Sequence, residues 1–495
     1  MKNKLLGLAA CLLALVLAVA APLALPEHRT KPRVHQHRGA LPEAPCTNPE
    51  DGGLCTYLPI VEIDTGGVTI PGRPIHSEEE TTSYVLAEDG QTTIAAQMKV
   101  IGTDTGEYHH ANGTPDVESS VRIRVRGNSS RRFDKPSYAI RLVDAEGGNA
   151  PQSLMGMDAH HEWVLYGPWL DKTAVRNYLF YNLAGELMDY APNVRYCEVI
   201  VDGEYQGLYL LAETITAGKN GARLPLEVSA RGRTYSGYLL RLDHNRPETR
   251  SLRSFTEYTY IQDEALSLQL EFPGEKNRSE ELEQQIRQDF SDFEKALYSY
   301  DYDREKYGYA SRIDVDSFVD YFILNELAGN VDAGNFSTYL YKGSDGLFRM
   351  CVWDFNNACD NYFEAELGHE GFFMPWRLWY WMMMKDEDFT SRIITRYRQL
   401  RRGLLSEAAL DQYIEETEAF LAPALARNDA RWGDVALQAS ELLQPAGRNL
   451  TSRGAAEGQL KGYLHNRGAW MDDNIETLRQ YSAPSHVKKF NEVND

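Results

Sequence analysis

Asp332 and Asp354 are the residues whose types and spacing could do chemistry together. They lie within residues 325–357, NELAGNVDAGNFSTYLYKGSDGLFRMCVWDFNN, where Asp332 and Asn335 share a Gly-containing loop and Asp354 opens the run Asp-Phe-Asn-Asn. Between them, residues 338–342 and 348–353 read as the two strands of a hairpin. A hairpin with one carboxylate just before its first strand and another just after its second carries both to the same end, although they are 22 positions apart. Two acids and an amide gathered there offer oxygen ligands to a hard divalent cation, which commonly also holds substrate phosphates. Asp and Asn are equally at home in plain turns, so residue type alone leaves both readings open.

The order of the parts adds to this. Protein kinases place a catalytic Asp, then an Asn, then a hairpin, then Asp-Phe-Gly, with the Asn and the second Asp on the metals. Asp332, Asn335 and Asp354-Phe355 follow that order, with Asn356 in the place of the Gly. Asp and Asn are three positions apart instead of five, which excludes an ordinary eukaryotic-type kinase.

The elements that must position these residues read as follows. Residues 315–327 are apolar at helical spacing and deliver the Asp332 loop. Residues 58–142 are β in pattern, and the alternating run Val-Arg-Ile-Arg-Val-Arg at 121–126 leads into Gly127-Asn128-Ser129-Ser130. That turn offers backbone N–H groups and hydroxyls that could lie over phosphates. Its flanks Arg126, Arg131, Arg132, Lys135 and Arg141 cluster positive charge in an acidic protein. A strand at 163–166 and a helix at 170–190 follow, the helix carrying Val175, Leu179, Leu183 and Leu187 toward a core and Glu186 toward solvent. Residues 197–213 form a hairpin around Asp202-Gly203, closed by Glu213. Strands at 235–243 and 258–270 and a charged helix at 280–298 come next. After Asn361 the chain is mainly helical, at 376–384, 388–404, 407–426 and 463–481, and the aromatic and Met-rich run 372–384 reads as core.

The first 20 residues have a basic start, an apolar centre and a small-residue end, the pattern of a secretory signal cleaved after Ala20; no later stretch is apolar enough to cross a bilayer. Residues 21–57, rich in Pro, His and Arg, read as a linker that need not pack, with His28, His35 and His37 too irregularly spaced for a metal site. Of six cysteines, five follow the signal; Cys46 and Cys55 bracket a turn-rich loop and can pair, whereas Cys197 and Cys351 sit in apolar strands as free thiols. A formal net charge of −21 argues against nucleic acid or an anionic membrane as partner; it is compatible with a basic protein substrate but is more simply the acidic surface that keeps an exported protein soluble. The expected partner is an exported protein, basic or Ser/Thr-rich.

Taken in order, these segments resemble the spore-coat-protein-H (CotH) kinases, atypical secreted or spore-associated protein kinases. The resemblance rests on Leu58-Pro-Ile-Val-Glu-Ile-Asp, Arg126-Gly-Asn-Ser-Ser, Lys135-Pro-Ser-Tyr-Ala-Ile-Arg-Leu, Asp171-Lys-Thr-Ala-Val-Arg-Asn, Gly207-Leu-Tyr-Leu-Leu-Ala-Glu, Asn325-Glu with Asp332 and Asn335, and Trp353-Asp-Phe-Asn. It implies an α+β, atypical protein-kinase-like two-lobed fold over residues 58–481, with a β-rich part at 58–215, a helix-rich catalytic part at 216–481 and a tail at 482–495. It further implies ATP and Mg²⁺ or Mn²⁺ between the lobes, Asp332 in the catalytic loop, and Asp354 with Asn335 on the metal. Phosphate contacts fall to Lys135 first and Arg141 second, with Arg126, Asn128, Ser129, Ser130 and Glu213 as further cofactor-binding residues. The chain departs from the family in having Asn356-Asn357 where an acid commonly follows Trp-Asp-Phe, and in reading Asp134-Lys135-Pro136-Ser137-Tyr138, with one added residue, where Lys-Lys-Pro-Tyr is frequent. The implied function is that of an exported bacterial Ser/Thr kinase acting on envelope or spore-surface proteins. Two rival readings are a catalytically silent scaffold for coat or surface assembly and a metal-dependent glycan-binding protein.

Overall fold

The computed structural model describes residues 33–46, 53–75, 83–219, 222–228, 234–245, 250–255, 266–437 and 442–482. The expected signal, His28 and all of the tail beyond residue 482 lie outside the described residues. The fold is α+β, with seven α-helices and four sheets among the described residues. No helix among them is long and apolar enough to cross a membrane.

Seven strands close a barrel: β1 Ile60–Asp64, β2 Ile94–Ile101, β3 Val117–Arg126, β4 Ser137–Val143, β5 Glu162–Tyr166, β6 Val194–Val201 and β7 Glu204–Glu213. Their order is β6-β7-β5-β4-β3-β2-β1, antiparallel throughout except where β1 and β6 close the ring in parallel, Ile60 opposite Glu198 and Ile63 opposite Val201. Closure leaves no open edge to pair with another chain. The alternation read from the sequence sets the two faces. Val121, Ile123 and Val125 pack inside with Trp163, Leu165 and Leu211, which leaves Arg122, Arg124 and Arg126 on the outer face. At the β6–β7 turn both Asp202 (φ 49°) and Gly203 (φ 80°) are left-handed, as an Asp-Gly hairpin turn requires.

A second sheet has β8 Tyr238–His244, β9 Leu266–Phe272, β10 Thr338–Lys342 and β11 Phe348–Cys351 in the order β9-β8-β10-β11, all antiparallel. Leu240, Leu242, Leu268 and Leu270 face the main core, and the alternate residues Arg241, Asp243, Gln269 and Glu271 face the other way.

The helices are α1 Arg176–Leu187, α2 Glu280–Leu297, α3 Val315–Ala328, α4 Tyr380–Met383, α5 Glu387–Arg401, α6 Glu407–Ala436 and α7 Arg453–Asn474. Helix α3 is buried on every side from Ser317 to Ala328 and packs against α1, α5 and α7. It stops at Gly329, whose φ of 55° lets its N–H reach back to the carbonyls of Asn325 and Glu326. Within this core Arg467 of α7 meets the Glu326 carboxylate at 2.5 Å, and the same carboxylate accepts from the N–H groups of Phe373 and Met374. Helix 3, helix 7 and the segment near residue 373 are thereby held as one body.

Several boundaries differ from the sequence reading, among them the end of α6, which runs on to Ala436, ten residues beyond the expected 426. Helix α1 begins at Arg176, not 170, because the Asp171 side chain accepts from the Arg176 N–H (2.9 Å) and Thr173 hydroxyl (2.6 Å), and so forms the turn that starts the helix. The expected helix at 376–384 contracts to Tyr380–Met383. Helix α7 starts ten residues earlier than 463, capped by Ser452; Gly454, Gly458 and Gly462 mask its periodicity in the sequence.

The segment read as an unpacked linker packs where it is described. Gln36 exchanges two hydrogen bonds with the Tyr196 backbone, at 2.7 and 3.1 Å, and His37 is buried with its Nδ1 2.8 Å from the Tyr178 hydroxyl. His35 pairs with Glu186 at 2.9 Å, so this carboxylate faces a histidine instead of solvent. Cys46 and Cys55 form a disulfide, and Cys197, Cys351 and Cys359 are buried free thiols.

Burial pushes both His37 and His160 down to about 4 from an ordinary 6.5. Since each folded-state value lies below the unfolded one, the unfolded chain takes up protons first as pH falls from about 6.5 to about 4, and stability is lost across that window. Thermal unfolding followed between pH 7 and pH 4.5 is expected to show a larger loss of Tm in the parent than in His37→Gln; the same pH dependence in both would contradict this.

Candidate active site

Beyond Gly329 the chain makes a tight loop before entering β10. The N–H groups of Asn335 and Phe336 donate to the Asp332 carbonyl at 3.0 and 2.8 Å, and the Gly334 N–H donates to Thr338 Oγ1 at 2.8 Å. Arg377 Nη2 donates to the Val331 carbonyl at 2.8 Å. The Asp332 carboxylate, half-buried, accepts from Asn357 Nδ2 at 3.1 Å.

Asp354 follows β11 in a turn fastened by α1. Its own N–H donates to the Tyr181 hydroxyl (3.0 Å), and the Phe355 N–H donates to Asn177 Oδ1 (2.7 Å) while the Phe355 ring stacks on Phe180 at 4.7 Å. Arg176, paired with Asp171 at 2.6 Å, donates to the carbonyls of Ala358 and Cys359. Asp354 itself is left-handed, with φ of 62°. The hairpin thus brings both carboxylates to one end, where they line a cavity of about 660 Å³.

The cavity has two walls of opposite character. The barrel contributes Arg124, Arg126 and the turn Gly127, Asn128, Ser129, Ser130 and Arg131; the second sheet and its loops contribute Arg241, Asp243, Glu271, Asp332, Asp354, Asn356 and Asn357. Burial first, then the charges of Asp332 and Asp243, against the opposing pull of Arg126, together raise Asp354 to about 6. Asp332 is also raised, first by burial, while the hydrogen bond from Asn357 works the other way. Both acids therefore hold protons more tightly than free carboxylates, and both stand to gain from a nearby cation.

The structure brings Arg126, Asn128, Ser129, Ser130, Asp332 and Asp354 to this cavity and leaves four expected residues outside its lining. Lys135 is 1% exposed and spends its ammonium group on the Leu208 carbonyl and Asn428 Oδ1, both at 2.6 Å, between barrel and α6. Arg141 lies four residues along β4 from Ser137, the partner of Arg126, or about 13 Å from the cavity end at 3.3 Å per residue. Its guanidinium reaches the Gly147 carbonyl instead. Glu213 is buried against Arg223 at 2.5 Å and accepts from Asn193. The Asn335 side chain lies between Arg377 and the Gly334 carbonyl, outside the cavity lining.

Among the cavity residues missed in the sequence are Arg124, Arg241, Asp243, Gln269 and Glu271. Arg241 pairs with Asp243 at 3.2 Å and Glu271 at 2.8 Å, and donates to Gln269 at 2.8 Å. Their signal was present as Leu-Arg-Leu-Asp at 240–243 and Leu-Gln-Leu-Glu at 268–271, two strands with one polar face each.

The donor set fits a divalent cation. Asp354 and Asp332 are raised carboxylates, and Asn356 Oδ1 in the same lining is buried without a hydrogen-bond partner among the described residues. Asp243, Asp332 and Asp354 are not gathered within 4.8 Å of one another, so no all-carboxylate cage stands ready among the described residues. That suits Mg²⁺ or Mn²⁺ held by one or two carboxylates and completed by substrate phosphates and water.

A protein-family model described as CotH kinase protein matches residues 123–471, which contain both acids and the whole cavity lining. No curated protein matches the chain.

Removing the Asn177 side chain frees the buried Phe355 N–H and is expected to cost about 1–3 kcal/mol of stability. Because the same bond sets the Asp354 turn, Asn177→Ala should also weaken Mn²⁺ binding, read by calorimetry at a temperature where the variant is fully folded. Parental Mn²⁺ affinity would contradict the positioning role.

Proposed function

The chain belongs to the CotH kinase family, and from that premise we propose that it transfers the γ-phosphate of ATP to Ser or Thr hydroxyls of an exported, envelope or spore-surface protein. The observation that carries the reading is a single cavity that joins a Gly-Asn-Ser-Ser turn and cavity-facing arginines to two carboxylates with raised proton affinity. The barrel and the helix-rich part, through its second sheet, are read as the two sides of a kinase-like cleft.

In this reading the nucleotide phosphates lie toward Arg126 and the 127–130 turn, and the acceptor hydroxyl lies toward Asp332. Asp332 accepts the hydroxyl proton as the new O–P bond forms and the bond to the departing ADP breaks; a raised carboxylate is the stronger base for that step. Asn357 holds the Asp332 carboxylate in place, so the amides that replace the family's usual acid have a use in this chain. Asp354 and Asn356 would hold the divalent cation, which when bound offsets charge on the phosphates. Positioning and electrostatics of this kind carry most of phosphoryl-transfer catalysis.

The test is transfer of labelled γ-phosphate to Ser- and Thr-containing acceptors or to the chain itself, with Mg²⁺ or Mn²⁺. Asp354→Ala is expected to lose metal-dependent transfer with the fold kept. Asp332→Ala is expected to fall by roughly a hundredfold or more while nucleotide still stabilises the protein against heat. Parental rates in either variant would remove that residue from its role, and no nucleotide-dependent stabilisation of the parent would favour the scaffold reading.

A further inference from the structure

Strand β3 carries Arg124 and Arg126 two positions apart, so both guanidinium groups stand on the outer face of the barrel while Ile123 and Val125 fill its interior. Both line the cavity. Their surroundings differ from those of the neighbouring arginines. Arg122, on the same face, is tied to Thr93 through its hydroxyl and carbonyl; Arg241 is held by Asp243 and Glu271; Arg131 donates to the Gly127 carbonyl. Neither Arg124 nor Arg126 has a hydrogen-bond or ion-pair partner among the described residues, and the Trp353 ring lies 5.7 Å from the Arg126 guanidinium carbon. Burial first, and then the charges of Arg131 and Arg126, hold Arg124 down to about 10.

Each guanidinium presents five N–H donors in a planar fork. Half-buried and like-charged, two such forks side by side repel one another unless an anion with several acceptor oxygens lies between them. The Ser129 and Ser130 hydroxyls sit at the end of the same strand, in the same cavity lining. The one buried lysine nearby in sequence, Lys135, is committed elsewhere.

We propose that Arg124 and Arg126 form a paired-guanidinium clamp for a polyphosphate chain, filling in this protein the place that a strand lysine fills in ordinary kinases. The anion site stands on the arginines alone; that the polyphosphate belongs to ATP rests on the function proposed above. Trp353 steadies the Arg126 plane, and the forks grip phosphate oxygens bidentately, which an ammonium group cannot do.

The test uses the full chain and two probes, inorganic tripolyphosphate without metal and ATP with Mg²⁺, each titrated calorimetrically. Arg124→Ala and Arg126→Ala are expected to weaken tripolyphosphate by about tenfold or more. Arg124→Lys should recover only part of that loss, and Arg122→Ala, outside the cavity lining, none of it should be lost to begin with. Arg124→Lys also serves if the alanine variant fails to fold. Tripolyphosphate binding unchanged in Arg124→Ala or Arg124→Lys overturns the clamp, as does a parent that binds no tripolyphosphate. A parent that binds tripolyphosphate through these arginines but not ATP upholds the clamp and overturns the nucleotide reading.

Discussion

The first two turns of α1 fix the loop that carries Asp354, and the geometry of the cavity depends on that contact. Arg176 is 2% exposed, paired with Asp171, and donates to two carbonyls of the loop; Asn177 and Tyr181 accept from the first two N–H groups after Trp353. Three non-glycine residues in this short stretch, Asp354, Cys359 and Asp360, are left-handed, each a conformation that costs of order 1 kcal/mol or more outside glycine. Such a backbone persists only where its surroundings over-determine it. Breaking one partner of a buried ion pair leaves the other charge uncompensated, so the Asp171–Arg176 pair holds the loop in place with little freedom to drift.

Three alternating strands set the rest of the site. In β3 the small step from one face to the other sends apolar side chains into the barrel and arginines into the cavity; in β8 and β9 the same step sends leucines into the main core and Arg241, Asp243 and Glu271 into the cavity. A one-residue slip in either sheet would bury charge on both sides. Closure of the barrel on one side and packing of leucines on the other prevent that slip, and a positive wall consequently faces an acidic one.

Much of this was legible from the sequence. The hairpin at 338–353 and its two flanking acids followed from period-two alternation and from the position of Asp332 and Asp354 at its ends. The Asp-Gly turn at 202–203 and the buried helix α3 were equally plain, because local chemistry determines both. Lys135 was misplaced because a basic residue near a phosphate-type turn looks the same whether its stem points into the cavity or under α6; only the packing of Asn428, nearly three hundred positions away, decides it. Asn335 failed for a similar reason, since Arg377 claims its amide from a distant segment. Asp243 and Glu271 were overlooked because each strand alone shows an ordinary solvated face, and what they face comes from the barrel. The landmark Asp171-Lys-Thr-Ala-Val-Arg-Asn carried no role in the sequence, and its role is wholly a matter of long-range contacts to residues 355–359.

The most direct measurement of the central claim is a crystal structure of the full chain with ADP and Mn²⁺, using the anomalous signal of manganese to locate the ion. The account requires an anomalous peak against the Asp354 carboxylate, with the diphosphate between it and the Arg126–Ser130 wall. Manganese or nucleotide bound elsewhere, with the Asp332–Asp354 cavity empty at saturating ligand, would contradict it.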